Sequence, residues 1–525
     1  MLAYPRKDCG LRNCVWKDCL TLVLLSSCLS IAVVAGETNT QRPNIVYILA
    51  DDLGIGDVRA FNPEGKIATP NIDRLAAEGM RFTDAHSGSA VCTPTRYGLL
   101  TGRYAWRTRL QSGVCWGYSR PLIAESRLTI ASMLEQQGYH TGCVGKWHLG
   151  LTWGLHDTDR VPSDNPRQSW DNIDFAEPIL SGPRQLGFEY FFGISASLDM
   201  HPYVYLENDR VTQVPGTIAP ASSGMAFWRK GPIAADFEHL SVLDKLTEQA
   251  VQYIHQQDQQ RPFFLYFPLT APHKPIFPAE RFRGQSGLNE WGDFVLQVDW
   301  CIGQVMQAIE TKGFAEDTLF IVTSDNGATP GADFSALAKK GHSPSYHFRG
   351  HKADIFEGGH RVAFVARWPA VIQAGSTSDQ TICHTDLLAT AAEITGVELP
   401  ANAGEDSVSL LPAMRQTVQG PLREAAVHHS VNGSFAIRRG RWKLCFCPGS
   451  GGWSSPRPPQ ARRQQLPAVQ LYDLATDIGE TKNLHAEHPQ VVEELTSLLQ
   501  KYVSDGRSTP GARQNNDHPV NFQPN

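Results

Sequence analysis

No apolar run after residue 34 is long enough to cross a bilayer, so the body of the chain is not expected to insert stably in a membrane. Basic residues are not in excess. Lys and Arg number 47 against 53 Asp and Glu, and a net charge of −6 leaves no electropositive footprint for nucleic acid. Cysteine is scarce, with 11 in 525 residues, and Cys9, Cys14, Cys19 and Cys28 fall in the first stretch. Outside that stretch stand Cys92, Cys115, Cys143, Cys301, Cys383, Cys445 and Cys447, at spacings that match no zinc pattern. One or two disulfides are compatible with an oxidising compartment, but their pairing is not readable.

The first 36 residues have the order of an export leader. Arg6, Lys7, Arg12 and Lys17 form a basic region, an apolar run from Cys19 to Val34 comes next, and small residues Ala35-Gly36 close it. That run falls short of the roughly 20 residues a membrane span requires. Residues 1–36 are therefore expected to be a signal peptide, placing the protein in a periplasmic, secreted or other extracytoplasmic compartment. The chain beyond the leader is too long for one small core. It divides into a large domain over 42–420, a smaller one over 421–505, and a polar tail, 506–525, expected to be disordered.

Four short apolar runs read as buried parallel strands: 44–50, 139–144, 262–268 and 318–323, with a further strand over 362–366. Helices are expected over 70–78, opened by Thr69-Pro70, and over 295–309. The alternation is that of an α/β fold. Each buried strand runs into polar or charged residues: Asp51 and Asp52, Lys146 and His148, His273, Asp325 and Asn326. In a mostly parallel sheet the carboxyl ends of strands share one edge, and that edge holds the ligand crevice. Lys146 and His148, two apart in extended chain, are expected on the same side. Three carboxylates and an amide oxygen converging there require a cation, and an all-oxygen set suits a hard divalent ion. No second cluster of carboxylates and histidines is apparent, which favours one metal over two.

The stretch Cys92-Thr-Pro-Thr-Arg96 puts a cysteine where a helix begins, with Thr93 as N-cap, Pro94 in the first turn and Gly102 as terminator. Free N–H groups and the Arg96 guanidinium suit a tetrahedral oxyanion. Residues 152–184 form a long polar excursion of the kind that carries specificity. After about residue 420, four short strands are expected over 425–429, 434–438, 442–447 and 470–474. A mobile loop rich in Gly, Ser, Pro and Arg over 449–467 separates the last two, and an amphipathic helix runs from Val491 to Val503.

The run Cys92-Thr-Pro-Thr-Arg96 with Leu100-Thr-Gly-Arg103 resembles the signature of the type I sulfatases, and the resemblance extends over about residues 42–500. It is closest to the branch of arylsulfatase A and N-acetylgalactosamine-6-sulfatase. It implies an alkaline-phosphatase-like sandwich: a large, mostly parallel sheet flanked by helices, with a smaller C-terminal domain of a short antiparallel sheet and a helix. It implies that Cys92 is converted to formylglycine by a formylglycine-generating enzyme, its hydrate being the nucleophile. Asp51, Asp52, Asp325 and Asn326, with residue 92, would hold one calcium ion in preference to magnesium. Arg96 and Lys146 would position the modified residue and His148 would hydrogen-bond it. His273 and Lys352 would bind the sulfate ester, one of them protonating the leaving oxygen, and Ser197 would complete the pocket, which His201 also lines. The implied activity is hydrolysis of sulfate esters, aryl sulfates in vitro and sulfated carbohydrate in nature. Two alternatives stay open, a phosphonate monoester or phosphodiester hydrolase of the same superfamily and a non-catalytic binder of sulfated glycans. Trp116, Trp153, Trp170 and Trp228 are candidates for stacking on sugar rings. The family's Leu-Tyr-Asp-Leu-x-x-Asp turn commonly continues with proline, where this chain has Ile478.

Overall fold

The computed structural model describes residues 42–164 and 169–523. The leader lies outside the described residues. The strand Asn44–Asp51 is buried along its whole length, because Ile45, Val46, Tyr47, Ile48, Leu49 and Ala50 present apolar side chains to both faces. It sits in the middle of a ten-stranded sheet. Thr318–Ser324 pairs parallel on one side, and Phe263–Pro272, His140–Lys146 and Tyr190–Ile194 continue in parallel on the other. Phe364–Arg367, expected as one more strand, pairs antiparallel to Thr318–Ser324. Helices Pro70–Glu78, Val242–Gln256 and Glu290–Thr311 pack together as one group, and Cys92–Thr101, Ile130–Gln136 and Leu387–Thr395 as another. Within the five parallel strands the apolar side chains are almost wholly removed from water, at about 1.5–3 kcal/mol for each large one.

A four-stranded antiparallel sheet, Ala426–His429, Phe435–Arg439, Trp442–Cys445 and Gln470–Asp473, forms the smaller C-terminal domain with the helix Pro489–Asp505. That helix buries Leu495, Leu498, Leu499, Tyr502 and Val503 against the sheet. The turn after Asp473 forms without the proline. The Asp477 N–H donates to Asp473 O at 2.8 Å, and the Asp477 carboxylate accepts from the N–H groups of Thr481 and Lys482.

Several expectations are corrected. The tail packs on the body: Arg103 donates to Asn515 O and to Asp517 Oδ1, both at 3.0 Å, and Phe522 is 4 % exposed. Two buried arginines, Arg103 and Arg107, need acceptors, and the tail supplies some of them. The 449–467 segment holds a helix, Pro458–Arg463, and is pinned where Asp354 accepts from the N–H groups of Trp453 and Ser454. All seven cysteines among the described residues are free and buried.

A second cluster of histidines and carboxylates is also present. His86, His360 and His428 lie together, as do Asp84, His86 and Glu357, where the short strand Ala85–His86 and the short helix Glu357–His360 meet the strand Ala426–His429. Its nitrogens are largely engaged: His360 Nε2 accepts from Lys443 at 3.1 Å, and His86 Nε2 meets Asp84 at 3.0 Å. Lys443, wholly buried, bridges Glu357 at 3.0 Å and Glu480 at 2.8 Å. A lysine donating to a ring nitrogen leaves little for a cation there, and the cluster reads as a hydrogen-bonded core network. Removing one partner from a buried ionic network costs about 3–5 kcal/mol. Lys443→Met is expected to lower unfolding stability by that amount in denaturant titration. A midpoint equal to the wild type would show that the network does not stabilise the fold.

Two buried histidines set a pH limit on stability. Burial pushes His384 and His429 down to about 4. Each binds its proton more weakly folded than unfolded, so the unfolded chain takes up more protons between about pH 6.5 and 4. Stability is full above pH 6.5 and falls by about 1.4 kcal/mol per pH unit for each group as acid is added through that window. Thermal melts from pH 7 to 5 should show the fall, and His429→Leu should reduce the slope. A Tm independent of pH would contradict it.

Candidate active site

All five parallel strands deliver polar residues to one edge. Asp51 ends the central strand, and Asp52 comes next in the left-handed region, at φ 70°. Such a conformation is uncommon for a residue with a Cβ and is held here because the Asp52 N–H donates to Asp325 Oδ1 at 3.0 Å. Lys146 closes its strand and His148 lies just beyond, at φ 56°. The left-handed turn means that strand alternation does not apply to this pair; the turn itself places His148 against Cys115. Gly145, at φ 134°, allows a close approach, since a Cβ there would lie 1.9 Å from Pro268 O.

The helix carrying the cysteine begins at Cys92 itself, with Val91 as N-cap and no side chain capping it. Thr93, expected as the cap, instead donates its hydroxyl to His148 O at 3.0 Å and accepts from Cys115 N–H at 3.1 Å. The uncapped N-terminus therefore turns the positive end of the helix dipole on residue 92. Gly102 ends the helix at φ 64°, as expected.

Around Cys92 three carboxylates face three cations. Lys146 Nζ meets Asp51 Oδ2 at 2.5 Å, Lys352 Nζ meets Asp52 Oδ1 at 2.6 Å, and Arg96 Nη2 meets Asp325 Oδ2 at 2.9 Å. The Cys92 sulfur lies 3.6 Å from both Asp51 Oδ1 and Lys352 Nζ. Burial pushes the thiol up to about 12, against the pull of Lys146 and Lys352, so it is protonated and a poor nucleophile. Ser197 Oγ accepts from Lys146 Nζ at 3.3 Å and lies 3.1 Å from His273 Nδ1. His273 Nδ1 also lies 2.6 Å from Lys274 O, which fixes the proton on Nδ1 and leaves Nε2 facing Asp52 at 3.7 Å. His148 donates from Nε2 to Cys115 O at 2.8 Å, and its Nδ1 is buried without a partner. Burial, reinforced by Lys146 and Arg96, holds His148 well below the usual histidine range, so Nδ1 is a neutral acceptor.

The oxygens fit a hard cation. Burial and the neighbouring Asp51 push Asp325 up to about 7, the response of a carboxylate short of positive charge. Asn326 donates through Nδ2 to Asp52 Oδ1 at 2.7 Å, leaving its Oδ1 buried with no partner. Asp51, Asp52, Cys92 and His273 bring ligand atoms close enough together to hold a metal ion, the first three of them buried. A divalent ion would give the otherwise balanced site two positive charges, matched to an oxyanion.

The other sequence-derived candidates divide. His201 turns away to Tyr118, whose hydroxyl lies 3.1 Å from its Nδ1, and to the Trp170 ring. Trp153 is buried and Trp228 stacks on His239 at 4.2 Å, whereas Trp116 is half-buried. Not singled out from sequence were Asp199, two residues past Ser197, and Arg229, which pairs with it. Only the acid's place in the 193–203 run signals the first, and no local pattern signals the second.

The mostly parallel sheet flanked by helices, followed by a small antiparallel sheet and helix, is the architecture of the alkaline-phosphatase-like fold. Residues 43–397 match the family model described as Sulfatase. The chain is 33 % identical to an N-acetylgalactosamine-6-O-sulfatase of Bacteroides thetaiotaomicron, over 91 % of this chain and 96 % of that one. It is also 33 % identical to human arylsulfatase A, covering 93 % of each. A solved structure concerned with metabolism of multiple glycosaminoglycans by Bacteroides thetaiotaomicron superposes with a TM-score of 0.75 at 32 % identity, over 88 % of this chain and 99 % of that chain. The protein belongs to the sulfatase family and is a hydrolase.

Proposed function

We propose that the protein hydrolyses sulfate esters of carbohydrates outside the cytoplasm, through a formylglycine made from Cys92 and one calcium ion. The observation that carries this reading is Cys92 itself. It opens an uncapped helix, 3.6 Å from Asp51 and from Lys352, yet as a thiol it is held protonated by burial. The Cys92 sulfur stands where the hydrated aldehyde would present its hydroxyls. The hydrate supplies a nucleophile and a second hydroxyl that lets the ester be released without attack by water. Asp51, Asp52, Asp325 and Asn326, with residue 92, would hold calcium, a Lewis acid for a sulfate oxygen.

The chain's own side chains have the remaining tasks. Arg96 and Lys146 offset charge at residue 92 while tethered to Asp325 and Asp51. His148 accepts a hydroxyl proton at Nδ1. Lys352 and His273 bind the transferring oxygens. Burial holds His273 below the usual histidine range, so with Nδ1–H committed to Lys274 O it rests neutral, whereas Asp52 keeps Lys352 charged; one of the two would protonate the leaving oxygen. Ser197 keeps Lys146 and His273 apart in fixed geometry. Cys92 is 2 % exposed, so a formylglycine-generating enzyme has to reach it before the chain folds.

The test is peptide mass spectrometry of residue 92 from protein made in its own host, with aldehyde-reactive labelling. It is run beside turnover of a sulfate and a phosphodiester of the same phenol. Aldehyde at 92 and faster sulfate release are expected. An unmodified thiol in processed, active protein would sink the mechanism, and faster phosphodiester cleavage would move the enzyme to the phosphonate and phosphodiester hydrolases. Phosphonate monoester hydrolase of Agrobacterium radiobacter has the same fold, at a TM-score of 0.56 and 20 % identity, so fold alone does not separate them.

A further inference from the structure

We infer that Arg229, fixed by Asp199 and Trp116 on the rim of the site, recognises the alcohol that carries the sulfate, and that this alcohol is an uncharged, hydroxyl-rich sugar ring. The inference rests on the sulfate-ester reading above.

The loop that carries Ser197 continues to Asp199, which is 6 % exposed. Ser197 Oγ lies 3.1 Å from His273 Nδ1, so Asp199 follows two residues after a side chain in contact with the ester-binding histidine. Arg229 is tied to Asp199 three times. Its backbone N–H donates to Asp199 O at 3.2 Å, its Nη1 donates to the same oxygen at 3.1 Å, and Nη1 also meets the carboxylate. Its guanidinium lies 5.0 Å from the Trp116 ring and 5.1 Å from that of Phe227, within reach of cation–π attraction. Trp116 is next in the chain to Cys115, the residue whose carbonyl receives His148 Nε2–H. Arg229 is thus held between the segment that follows Ser197 and the segment that follows Cys115.

Its donors are only partly used. The protein hydrogen bonds of the guanidinium run through Nη1, and among the described residues Nε and Nη2 have no acceptor, in a side chain 35 % exposed. The planar fork is thus held in place before any ligand arrives, which reduces the entropy lost on binding. Asp199 already neutralises its charge, so the free N–H groups suit hydroxyl or amide oxygens better than a carboxylate. The half-buried faces of Trp116 and Phe227 suit the C–H face of a sugar ring. A sterol or plain aryl group would cover these donors without accepting from them, which weakens binding.

The experiment compares wild type, Arg229→Ala and Arg229→Lys by kcat/KM. The substrates are 4-methylumbelliferyl sulfate and a panel of sulfated neutral monosaccharides, including galactose and N-acetylgalactosamine 6-sulfates. Arg229→Ala is expected to lower the best sugar's kcat/KM about 30-fold more than that of the aryl ester, as for loss of hydrogen bonds from a charged donor. Arg229→Lys should recover only part, because it lacks the fork. Aryl turnover reports that each variant is folded. Equal losses on both substrates would make Arg229 a structural residue and overturn the inference. So would a wild type that cleaves the aryl ester but none of the sugars, with the sulfatase reading intact. Cleavage of no sulfate ester by the wild type would remove both.

Discussion

Cys92→Ala is expected to lower kcat by about 10⁵-fold, the scale of losing a nucleophile on which the other groups act as a unit. The cost to stability should be small, about 1 kcal/mol, because the thiol makes two long contacts and leaves a small space. Cys92→Ser separates nucleophilicity from the second hydroxyl. A serine hydroxyl in this place has Lys352 and Asp51 beside it and can attack sulfur, but the sulfate ester formed on that side chain has no second hydroxyl with which to expel sulfate. Cys92→Ser should therefore release at most one equivalent of alcohol and retain sulfate on residue 92, seen by mass spectrometry. Steady turnover by Cys92→Ser would show that water can complete the reaction and that the formylglycine reading is wrong.

Asp325→Asn should be the next largest loss, about 10²–10³-fold in kcat/KM, with the metal lost as well. Asn keeps the shape and an oxygen to accept the Asp52 N–H, so the change isolates the charge that Arg96 pairs with and that a bound cation would share. Elemental analysis should find calcium in the purified wild type and little in Asp325→Asn. Chelation of the wild type should abolish activity, and added calcium should restore it. Full calcium content with full activity in Asp325→Asn would exclude this carboxylate from the metal site.

Much of this site was legible because parallel strands have a rule. Ile45 to Ala50 can only be a doubly buried strand, and the acids that end it have to lie at the carboxyl edge. Asp51, Asp52, Lys146, His273, Asp325 and Asn326 were all found by that rule. Less was legible where chain direction changed. Asp52 and His148 take left-handed conformations, so alternation misplaces their side chains although both residues lie at the carboxyl edge. Thr93 has the look of a cap because capping is a local preference, but a hydrogen bond to His148 O, 55 residues away, overrides it. Arg103 belongs to the signature by sequence and turns away from Cys92 to bind the tail, which polarity alone marks as disordered.

The sequence by itself determined the strands, the acids at their ends, the helix that opens on Cys92 and the family those residues resemble. Each comes from periodicity or from a short motif, which neighbouring residues suffice to specify. Only the tertiary structure decided which charges pair, that no cysteine among the described residues is bridged, that the histidines at 86, 360 and 428 form a core network, and that Arg229 pairs with Asp199. These are contacts between segments tens to hundreds of residues apart. Their geometry comes from packing of the whole sheet, and no local pattern in the chain encodes it.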